Sequence, residues 1–475
     1  MSRQPSVSWP PRPGLLEKWS GPGPRYTSYP TAPVWSDDFG VAEAEAATQR
    51  AASRTGEPLA VYVHVPFCER RCLFCGCTVN IQAGRWRASK GDAFLEALEA
   101  EAARLEEAFG GRRPATQIHL GGGTPTWLSP DQLRRLMTAV TAAFPPLDHA
   151  EISVEVDPRV TTPDHVAALS EMGFRRISLG VQDTDEGVQQ AIHRGQTCEQ
   201  TADLIEAFRD AGVDGVNLDL IYGLPRQGQA TWAATLDAVA VWRPDRLAVY
   251  GYAHVPWLKP HQRSLEDRDL PDAALRTALF AAACEHLDQG GYQLIGLDHF
   301  ALPDDALARG LADGSLHRNF MGYTTMHADE MVALGPSAIS DVGGAFLQNA
   351  RETGAWTEAA LAGRPATTRG HLRSPDDDVR RAAIGDLMCR MALDLDDLEE
   401  RFSVTDLGER FAGAWQALCG LEADGLCTVT ERRVTVEPAG RLFLRHLAMP
   451  FDAYLESTTP DRQGQEQAGR FSQTL

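Results

Sequence analysis

The chain has 475 residues, 43% hydrophobic and 23% charged, which is long enough for two domains or for one large domain with an appendage. Its 65 acidic and 45 basic residues give a formal net charge of −20, which argues against a general nucleic-acid binder because such proteins present a basic face. No stretch approaches the roughly 20 apolar residues of a membrane span, and the first residues hold no apolar signal core. We therefore expect a cytoplasmic protein with neither nucleic-acid nor membrane partners.

The first 35 residues are rich in proline, glycine and serine and show no helical or strand periodicity. Composition alone favours a disordered tail, and the alternative is an extended arm. The stretch GPRYTSYPTAP, residues 23–33, carries two tyrosines and an arginine, which is more than a plain linker needs.

From residue 59 onward, apolar runs of strand length alternate with helical periodicity. Strands are predicted at residues 59–65, 116–120, 151–156, 175–180, 214–221 and 245–252, and helices at 92–109, 129–144, 161–173, within 185–211 and at 229–241. About six strand–helix units are typical of a parallel sheet with crossover helices, so the fold class is α/β.

Polar and glycine-rich residues follow each predicted strand. They form a cysteine-rich loop, GGGTPT (121–126), EVDP (155–158), GVQD (180–183), DLIYGLP (219–225) and YAHVP (252–256). In parallel α/β sheets and barrels the ligand lies at the carboxyl ends of the strands, where such loops converge. We therefore expect the functional site at this edge.

The pattern changes near residue 366. Residues 366–375 (ATTRGHLRSP) indicate a linker, and helices, a short hairpin and another helix are predicted beyond it. Helices with such a hairpin also occur in DNA-binding domains, but the acidic balance disfavours that function. The last residues are polar and are expected to be mobile.

Four cysteines stand close together in the loop after the first strand. Cys68, Cys72, Cys75 and Cys77 have the spacing C-x3-C-x2-C-x-C. Disulfides conflict with a reducing compartment. Structural zinc usually joins two separated ligand pairs, although Cys₄ zinc sites are common, whereas iron–sulfur clusters bind closely spaced thiolates readily. The spacing alone leaves zinc and iron–sulfur open.

The triplet Cys68, Cys72 and Cys75, with Phe74 before the third cysteine, resembles the signature of the radical S-adenosylmethionine (radical SAM) enzymes. Cys77 and the residues around it resemble the oxygen-independent coproporphyrinogen III oxidases within that superfamily. Further matching segments are GPRYTSYPTA, YVHVPFC, GGGTPT, EVDP, GVQD, NLDLIYGLP, YAHVP, DHFALPDD, LHRNFMGYTT and SAIS, which follow one another over roughly residues 24–340.

The resemblance implies a partial (β/α)6 radical SAM barrel with an N-terminal arm and a smaller, mainly helical C-terminal domain. The expected divisions are an arm with a lead-in helix (1–54), the catalytic domain (55–365), the helical domain (366–455) and a tail (456–475).

The resemblance also implies the cofactors. Cys68, Cys72 and Cys75 would bind a 4Fe–4S cluster, whose open iron receives SAM. Cys77 is expected to remain outside the cluster, and Cys77 and Tyr62 are the catalytic candidates.

Two molecules of SAM are expected in this family. Residues implied for the SAM on the cluster are Tyr62, Gly122, Glu155 and Ile339. Residues implied for the second SAM are Phe74, Gly123, Thr124, Gln182, Arg194, Asp219 and Ala253. The segment before Ile339 departs from the family pattern at Met321 and over residues 326–328.

The implied substrate is coproporphyrinogen III, of which two propionates become vinyl groups to give protoporphyrinogen IX for haem synthesis. Propionates need cationic partners, and bidentate guanidinium groups suit carboxylates best. Arg25 and Arg318 are the candidates, although both are also explained as surface arginines. A monomer that receives electrons from a donor such as flavodoxin or ferredoxin is expected.

Two other functions compete with this interpretation. A radical SAM haem chaperone shares the cysteine triplet but typically lacks the fourth cysteine and the YTSYPTA arm, so Cys77 and residues 26–32 favour the oxidase. A zinc-stabilised, non-catalytic interaction protein would be colourless after anaerobic preparation, whereas a 4Fe–4S protein is brown.

Overall fold

The structure is a computed structural model that describes residues 14–19, 21–54, 56–84 and 87–456. The tail predicted to be mobile lies outside the described residues from residue 457 onward, as do the first thirteen residues of the arm. The arm leads through α1 (Leu15–Lys18) to α2 (Val41–Ala52).

The predicted strand–helix units are confirmed, and they form a parallel sheet. Its strands and the short strands of the cysteine loop are β1 (Leu59–Val65), β2 (Phe67–Cys68), β3 (Asn80–Ile81), β4 (Ala115–Gly122), β5 (Pro146–Val156), β6 (Arg176–Gln182), β7 (Gly215–Tyr222) and β8 (Arg246–Gly251). The helices are α3 (Arg87–Ala108), α4 (Pro130–Ala143), α5 (Pro163–Glu171), α6 (Glu186–Ala191), α7 (Cys198–Asp210) and α8 (Gln229–Trp242). Strands β1, β4, β5, β6, β7 and β8 are neighbours in that order, and each pair is parallel.

Helix starts in this region follow from side-chain caps. The N–H of Gln132 donates to Ser129 Oγ at 3.2 Å, the Gln132 side chain accepts from the N–H of Ser129 at 3.1 Å, and Pro130 occupies the first helical position of α4. Thr197 caps α7 in the same way with Gln200. These N-terminal caps begin each helix at a defined residue, which fixes the length of the loop that precedes the helix.

The sheet continues beyond the six units on both sides. The following elements are α9 (Ala273–Gln289), β9 (Gln293–Ile295), β10 (His299–Ala301), α10 (Ala306–Asp313), β11 (His317–Asn319), β12 (Gly322–Thr324), β13 (Met331–Leu334), β14 (Ile339–Val342), β15 (Ala345–Asn349), α11 (Thr353–Leu361) and β16 (Thr367–Leu372). Among the described residues, twelve strands form one sheet in the order β16-β15-β14-β13-β1-β4-β5-β6-β7-β8-β10-β9. The partial barrel is confirmed, with β13 added in parallel beside β1.

The linker predicted at residues 366–375 is wrong, because residues 367–372 form β16, which pairs antiparallel with β15. Gly370 explains how this polar stretch packs, since a Cβ there would lie 2.5 Å from the Phe39 ring and would overlap the carbonyl oxygen of Phe346. The outer edge of β16 exchanges two backbone hydrogen bonds with Ser36, at 2.9 and 3.0 Å. The stretch is therefore an edge strand covered by the arm.

The C-terminal part is mainly helical, as predicted. Its elements are α12 (Pro375–Arg390), β17 (Ala392–Asp394), α13 (Leu395–Phe402), α14 (Leu407–Arg410), α15 (Ala412–Ala423), β18 (Cys427–Val429), β19 (Arg433–Val436), α16 (Leu444–Ala448) and α17 (Ala453–Glu456). The predicted hairpin, β18–β19, gains β17 as a third strand. None of the helices within the described ranges is long and apolar enough to cross a membrane.

Residues 21–39 of the arm are extended and packed between the barrel and the C-terminal part. Tyr26 Oη donates a hydrogen bond to Asp452 at 3.0 Å, and Tyr29 Oη accepts one from the N–H of Ala453 at 3.0 Å. Both tyrosines are buried. For this part of the arm the disordered alternative is therefore wrong.

Candidate active site

The cysteine loop is tied by its backbone to the glycine-rich loop after β4. The N–H of Gly123 donates to the carbonyl oxygen of Val65 at 2.8 Å, and the N–H of Thr124 donates to that of Phe67 at 2.8 Å. Strands β2 and β3 then pair at the two ends of the loop. The loop that carries the cysteines therefore lies at the carboxyl ends of β1 and β4, where the site was predicted.

The three glycines are required by the closeness of this approach. Gly122 has a φ of +107°, and a Cβ there would overlap the ring of His64. A Cβ on Gly123 would lie 2.6 Å from the carbonyl oxygen of Phe67, and one on Gly121 would lie 3.0 Å from the Glu155 carboxylate. The tripeptide thus allows two loops and a carboxylate to meet without side chains between them.

Cys72 is buried, and two arginines point at its sulfur. Arg159 Nη2 lies 3.6 Å from Cys72 Sγ and Arg194 Nη1 lies 3.7 Å from it. Both guanidinium groups also face Asp157, at 2.5 Å for Arg159 and 3.7 Å for Arg194. Burial alone would raise the pKa of Asp157, but the two guanidinium groups lower it to about 2. The structure thus directs two cationic donors at the sulfur of one predicted cluster ligand.

The other cysteines have separate environments. Cys68 Sγ lies 3.5 Å from the hydroxyl of Thr124, and the N–H of Cys77 donates to Cys75 Sγ at 3.4 Å. All four thiols are free, and Cys77 is exposed. The structure thus brings Thr124 and Arg194, both predicted for the second SAM, against predicted cluster ligands.

Tyr62 and Glu155 face each other inside the barrel. The Tyr62 hydroxyl lies 3.1 Å from His64 Nδ1, and its ring stacks on that of His119 at 6.0 Å. Glu155 accepts from the N–H of Gly122 at 3.0 Å and lies 3.6 Å from His119 Nε2. Burial would raise the pKa of Glu155, but His119 and the Gly122 N–H together lower it, so the carboxylate remains charged.

Asp219 lies further along the barrel interior. Its carboxylate accepts from Ser178 Oγ at 3.1 Å and from Asn217 Nδ2 at 2.9 Å. Burial, together with the charge of Glu155, raises the pKa of Asp219 to about 6. The sequence prediction that this carboxylate needs hydrogen-bond partners agrees with these contacts.

Gln262 joins the remaining second-SAM candidates to one another. Its buried side chain donates to the carbonyl oxygen of Phe74 at 3.0 Å and to that of Ala253 at 3.3 Å.

Gln182 has a φ of +70°, in the left-handed region, where β6 turns away from the sheet. Ile339 begins β14 directly after the turn at Gly335, where a Cβ would overlap the carbonyl oxygen of His64.

Arg25 and Arg318 are brought together at the open side of the barrel. Arg25 forms an ion pair with Asp298 and lies over the Tyr250 ring, 5.2 Å from its centroid. Arg318 Nη1 donates to the carbonyl oxygen of Arg25 at 2.6 Å. Arg318 also lines a cavity of about 530 Å³ between the arm, the β11–β12 hairpin and α12.

The interior forms one continuous polar lining. Ser178 pairs with Glu155 and Asp219 pairs with Ala248, two residues before Tyr250, so strand alternation turns these side chains to the same face. A path of polar groups therefore leads from the cysteine loop to the two arginines.

Several residues at this site were missed by the sequence reasoning. They are His64, His119, Arg159, Gln262 and Asp298. His64 lies within the matching segment YVHVPFC, His119 within the predicted strand 116–120, and Asp298 begins the matching segment DHFALPDD, so their place in these segments was the available signal. Arg159 and Gln262 lie in loops whose path no local pattern predicts.

The donor set fits an iron–sulfur cluster. Four free thiols lie in one loop, a pair of arginines faces one of them, and the glycine loop leaves room beside them. Across the parts of the chain that the structure describes, no three His, Cys, Asp or Glu side chains form a site for a single metal ion.

Comparison with known proteins defines the class. The radical SAM superfamily model matches residues 62–239, and the model of the HemN C-terminal domain matches residues 374–443. The barrel and its cysteine loop are therefore those of a radical SAM enzyme, a class that uses a 4Fe–4S cluster and SAM.

Curated relatives define the family more narrowly. The chain is 42% identical to the oxygen-independent coproporphyrinogen III oxidase of Salmonella typhimurium over 93% of this chain and 95% of the relative. It is 40% identical to that of Pseudomonas aeruginosa over 94% and 97%. The chain belongs to the oxygen-independent coproporphyrinogen III oxidases.

A solved structure agrees with this assignment. The coproporphyrinogen III oxidase HemN from Escherichia coli, described as a radical SAM enzyme, superposes with a TM-score of 0.86 at 40% identity. The match covers 90% of this chain and 97% of the other.

Proposed function

We propose that this protein is an oxidoreductase that converts coproporphyrinogen III to protoporphyrinogen IX without oxygen, in porphyrin and haem biosynthesis. The observation that carries the proposal is the joint position of two features. The cysteine loop stands at one end of a polar barrel interior, and Arg25 and Arg318 stand at the other.

Cys68, Cys72 and Cys75 would hold the cluster. When bound, the cluster and SAM would supply a 5′-deoxyadenosyl radical able to take a hydrogen atom from a propionate. Arg159 and Arg194 direct cationic donors at the Cys72 sulfur. Cys77 is proposed to act outside the cluster, together with Tyr62, whose hydroxyl is held by His64.

We assign the SAM molecules to the two groups of residues predicted for them. The charged Glu155, held beside the glycine loop by the Gly122 N–H, suits the amino and hydroxyl groups of the SAM on the cluster. Asp219, Gln182 and the backbone near Ala253 lie further along the lining and suit a second SAM. A binding stoichiometry of two SAM per chain, measured by anaerobic equilibrium dialysis, is expected.

Arg25 and Arg318 are proposed to bind propionates. Arg25 forms an ion pair with Asp298 in this structure. A bound propionate would therefore share the Arg25 guanidinium with the Asp298 carboxylate or take the place of that carboxylate. Arg25→Ala and Arg318→Ala are each expected to raise KM for coproporphyrinogen III. A small electron carrier such as flavodoxin or ferredoxin, a monomeric state and a cytoplasmic location complete the proposal.

The test is an anaerobic assay with dithionite, SAM and coproporphyrinogen III. Protoporphyrinogen and methionine are expected from the wild type and from Cys198→Ser, which changes an exposed cysteine outside the loop. Neither product is expected from Cys72→Ser. A reconstituted wild type that binds no iron–sulfur cluster would refute the proposal.

A further inference from the structure

The C-terminal part contacts the arm directly before Arg25. Arg445 lies in α16 and is 7% exposed. Its Nε donates to the carbonyl oxygen of Pro24 at 2.9 Å, and its Nη2 donates to that of Gly23. Because a guanidinium group is planar and rigid, two acceptors on one group fix both the place and the direction of the chain that carries them. Residues 23 and 24 are therefore held in one orientation by the C-terminal part.

The next carbonyl group of the arm is held by a different element. Arg318, in β11, donates from Nη1 to the carbonyl oxygen of Arg25 at 2.6 Å. Three consecutive carbonyl groups, those of residues 23–25, thus accept hydrogen bonds from two arginines. Residue 25 ends this run, so its side chain extends from a backbone that is fixed on both sides of the arm.

The side chain that leaves this fixed backbone reaches the interior of the barrel. The Arg25 guanidinium pairs with Asp298 and lies 5.2 Å from the centroid of the Tyr250 ring. Tyr250 follows Ala248, the partner of Asp219, by two residues, so it belongs to the polar lining. The Arg25 side chain is still 36% exposed, so it has room to contact a ligand. The arm thus brings a cation from outside the barrel to its lining.

The electrostatic environment of these groups favours an added anion. Burial, together with the charges of Arg25 and Arg318, lowers the pKa of Arg445 to about 9, although Asp298 raises it. Burial would raise the pKa of Asp298, but Arg25, His299 and Arg318 lower it. One carboxylate therefore acts on three guanidinium groups. A carboxylate on a ligand would be stabilised at the same place.

We propose that Arg445 is a positioning residue for substrate binding, which holds the arm so that Arg25 meets a propionate of the tetrapyrrole. The inference rests on the proposed function, which supplies the substrate, and extends substrate binding to the C-terminal part. Arg445 itself donates to backbone carbonyl oxygens, so its effect on the substrate passes through Arg25. A guanidinium–carboxylate pair needs a defined geometry, and a displaced arm would weaken it.

The chain offers a matched control for this contact. Arg113 is 3% exposed, and its guanidinium donates to the carbonyl oxygen of Glu57 at 2.7 and 3.1 Å and to that of Ala51 at 3.2 Å. It precedes β4 at the amino end of that strand, whereas the site lies at the carboxyl ends. Removing either arginine takes a donor from backbone carbonyl groups, so both variants should lose stability. A difference between them in substrate binding therefore reports the connection to Arg25.

The test is a double-mutant cycle on the reconstituted enzyme. The variants are Arg25→Ala, Arg445→Met and the combination of the two, with Arg113→Met as the control. Fluorescence titration measures the Kd for coproporphyrin III, the stable oxidised form of the substrate, which keeps its propionates. The dithionite-driven assay measures KM and kcat for coproporphyrinogen III, and iron content shows whether each variant holds its cluster.

We expect Arg445→Met to raise the Kd and KM by about tenfold and to change kcat less. Arg25→Ala should raise both by about 10- to 100-fold, the size of a hydrogen bond to a charged group. The combined variant should bind at most about twofold more weakly than Arg25→Ala, because Arg445 then has no cation left to position. Arg445→Lys keeps the charge without the planar fork and should lie between the wild type and Arg445→Met. Arg113→Met should keep the wild-type Kd.

Failure of this inference differs from failure of the proposed function. If the wild type neither binds coproporphyrin III nor converts coproporphyrinogen III, the proposed function is wrong, and this inference is wrong with it. If the wild type is active and Arg445→Met binds as tightly as the wild type, the positioning role alone is wrong.

Two further results would also overturn the positioning role. Effects of Arg25→Ala and Arg445→Met that multiply in the combined variant would show that Arg445 acts independently of Arg25. Equal weakening in Arg113→Met would show a general loss of stability instead of a displaced arm. Should Arg445→Met fail to fold, Arg445→Lys and its combination with Arg25→Ala provide the same comparison.

Discussion

Cys72 differs from the other loop cysteines in having two guanidinium groups directed at its sulfur. Arg159 and Arg194 are themselves held by Asp157, whose lowered pKa keeps it charged through the neutral range. Hydrogen bonds to the sulfurs of an iron–sulfur cluster stabilise its reduced, more negative form and so raise its reduction potential. If Cys72 is a cluster ligand as proposed, the residues around it should affect how readily the cluster accepts an electron.

Replacing Arg159 by methionine should lower the reduction potential of the cluster, because one cationic N–H donor to the Cys72 sulfur is lost. The expected shift is on the order of tens of millivolts, a small part of the range that protein environments produce. Redox titration followed by electron paramagnetic resonance measures it. Arg159→Lys keeps the charge and should shift the potential less. An unchanged potential in Arg159→Met would show that this arginine acts on Asp157 alone.

Asp219 should make stability depend on pH. Its pKa rises to about 6 on folding, above the ordinary value near 3.9, so the folded protein holds this proton more tightly than the unfolded chain. Burial of the charged carboxylate lowers the free energy of unfolding. This loss is absent below about pH 4, grows between pH 4 and 6, and is complete above pH 6. Asp219→Asn should therefore raise the free energy of unfolding at pH 8 by about 1–2 kcal/mol, after allowance for solvent screening. The melting temperature at pH 8 should rise with it.

Calorimetry of the protein without SAM at pH 8 and pH 5 checks this expectation. The gain of Asp219→Asn over the wild type should shrink as the pH falls, and Asp214→Asn, at an exposed position just before β7, should show no such trend. A gain that is equal at both pH values would contradict the raised pKa.

At the residue scale, prediction from sequence depended on whether a residue belonged to a recognisable segment. Glu155 and Asp219 end or lie within predicted strands, so their place at the site was foreseeable. Arg159 and Gln262 reach the cysteine loop from loops remote in sequence, at separations of 87 and 188 residues. Local patterns carry no information on such contacts.

Among the elements, six strands of the sheet, β1 and β4 to β8, were predicted, whereas β9, β10 and β13 to β16 were not. Strand β1 is buried along nearly its whole length and is an apolar run, whereas β16 carries threonine, arginine and histidine. An edge strand with one covered face looks like a loop in sequence. Gly370 in this strand is a position where the arm and the sheet approach closely.

Gly370→Ala should destabilise the protein and loosen the arm, because the added Cβ meets the Phe39 ring and the Phe346 carbonyl oxygen. Overpacking of this kind costs typically about 1–3 kcal/mol. Urea unfolding measures the loss. The matched control is Gly354→Ala in α11, where a Cβ meets nothing within 4 Å, and there a gain of about 0.5–1 kcal/mol is expected. Equal effects in both variants would contradict the close packing at β16.

On the scale of the whole molecule, the arm joins the barrel to the C-terminal part. Pro24 accepts a hydrogen bond from Arg445 at 2.9 Å, and Tyr26 and Tyr29 reach residues 452 and 453. The sequence predicted an arm, a barrel and a helical part, but not that the first would bind the last. A contact between residues 426 positions apart in the chain does not produce a local sequence pattern from which it could be predicted.

Tyr26→Phe should open the arm, because the buried Asp452 carboxylate loses its hydroxyl donor. An unsatisfied buried acceptor costs about 1–3 kcal/mol. Cleavage of the arm by thermolysin, monitored by mass spectrometry, should become about 5- to 100-fold faster. Lys18→Ala, which breaks an exposed ion pair with Asp424, should change the rate little. If the two variants are cleaved equally fast, the tyrosine contact does not hold the arm.

The contact between Tyr26 and Asp452 also sets an order of events during synthesis on the ribosome. The arm emerges first, yet its partner is made 426 residues later, which takes on the order of 20–90 seconds at typical bacterial elongation rates. The barrel strands and the cysteine loop are complete before that time. Newly made chains therefore pass through a stage in which the barrel and the cysteine loop exist before the arm is anchored at Asp452.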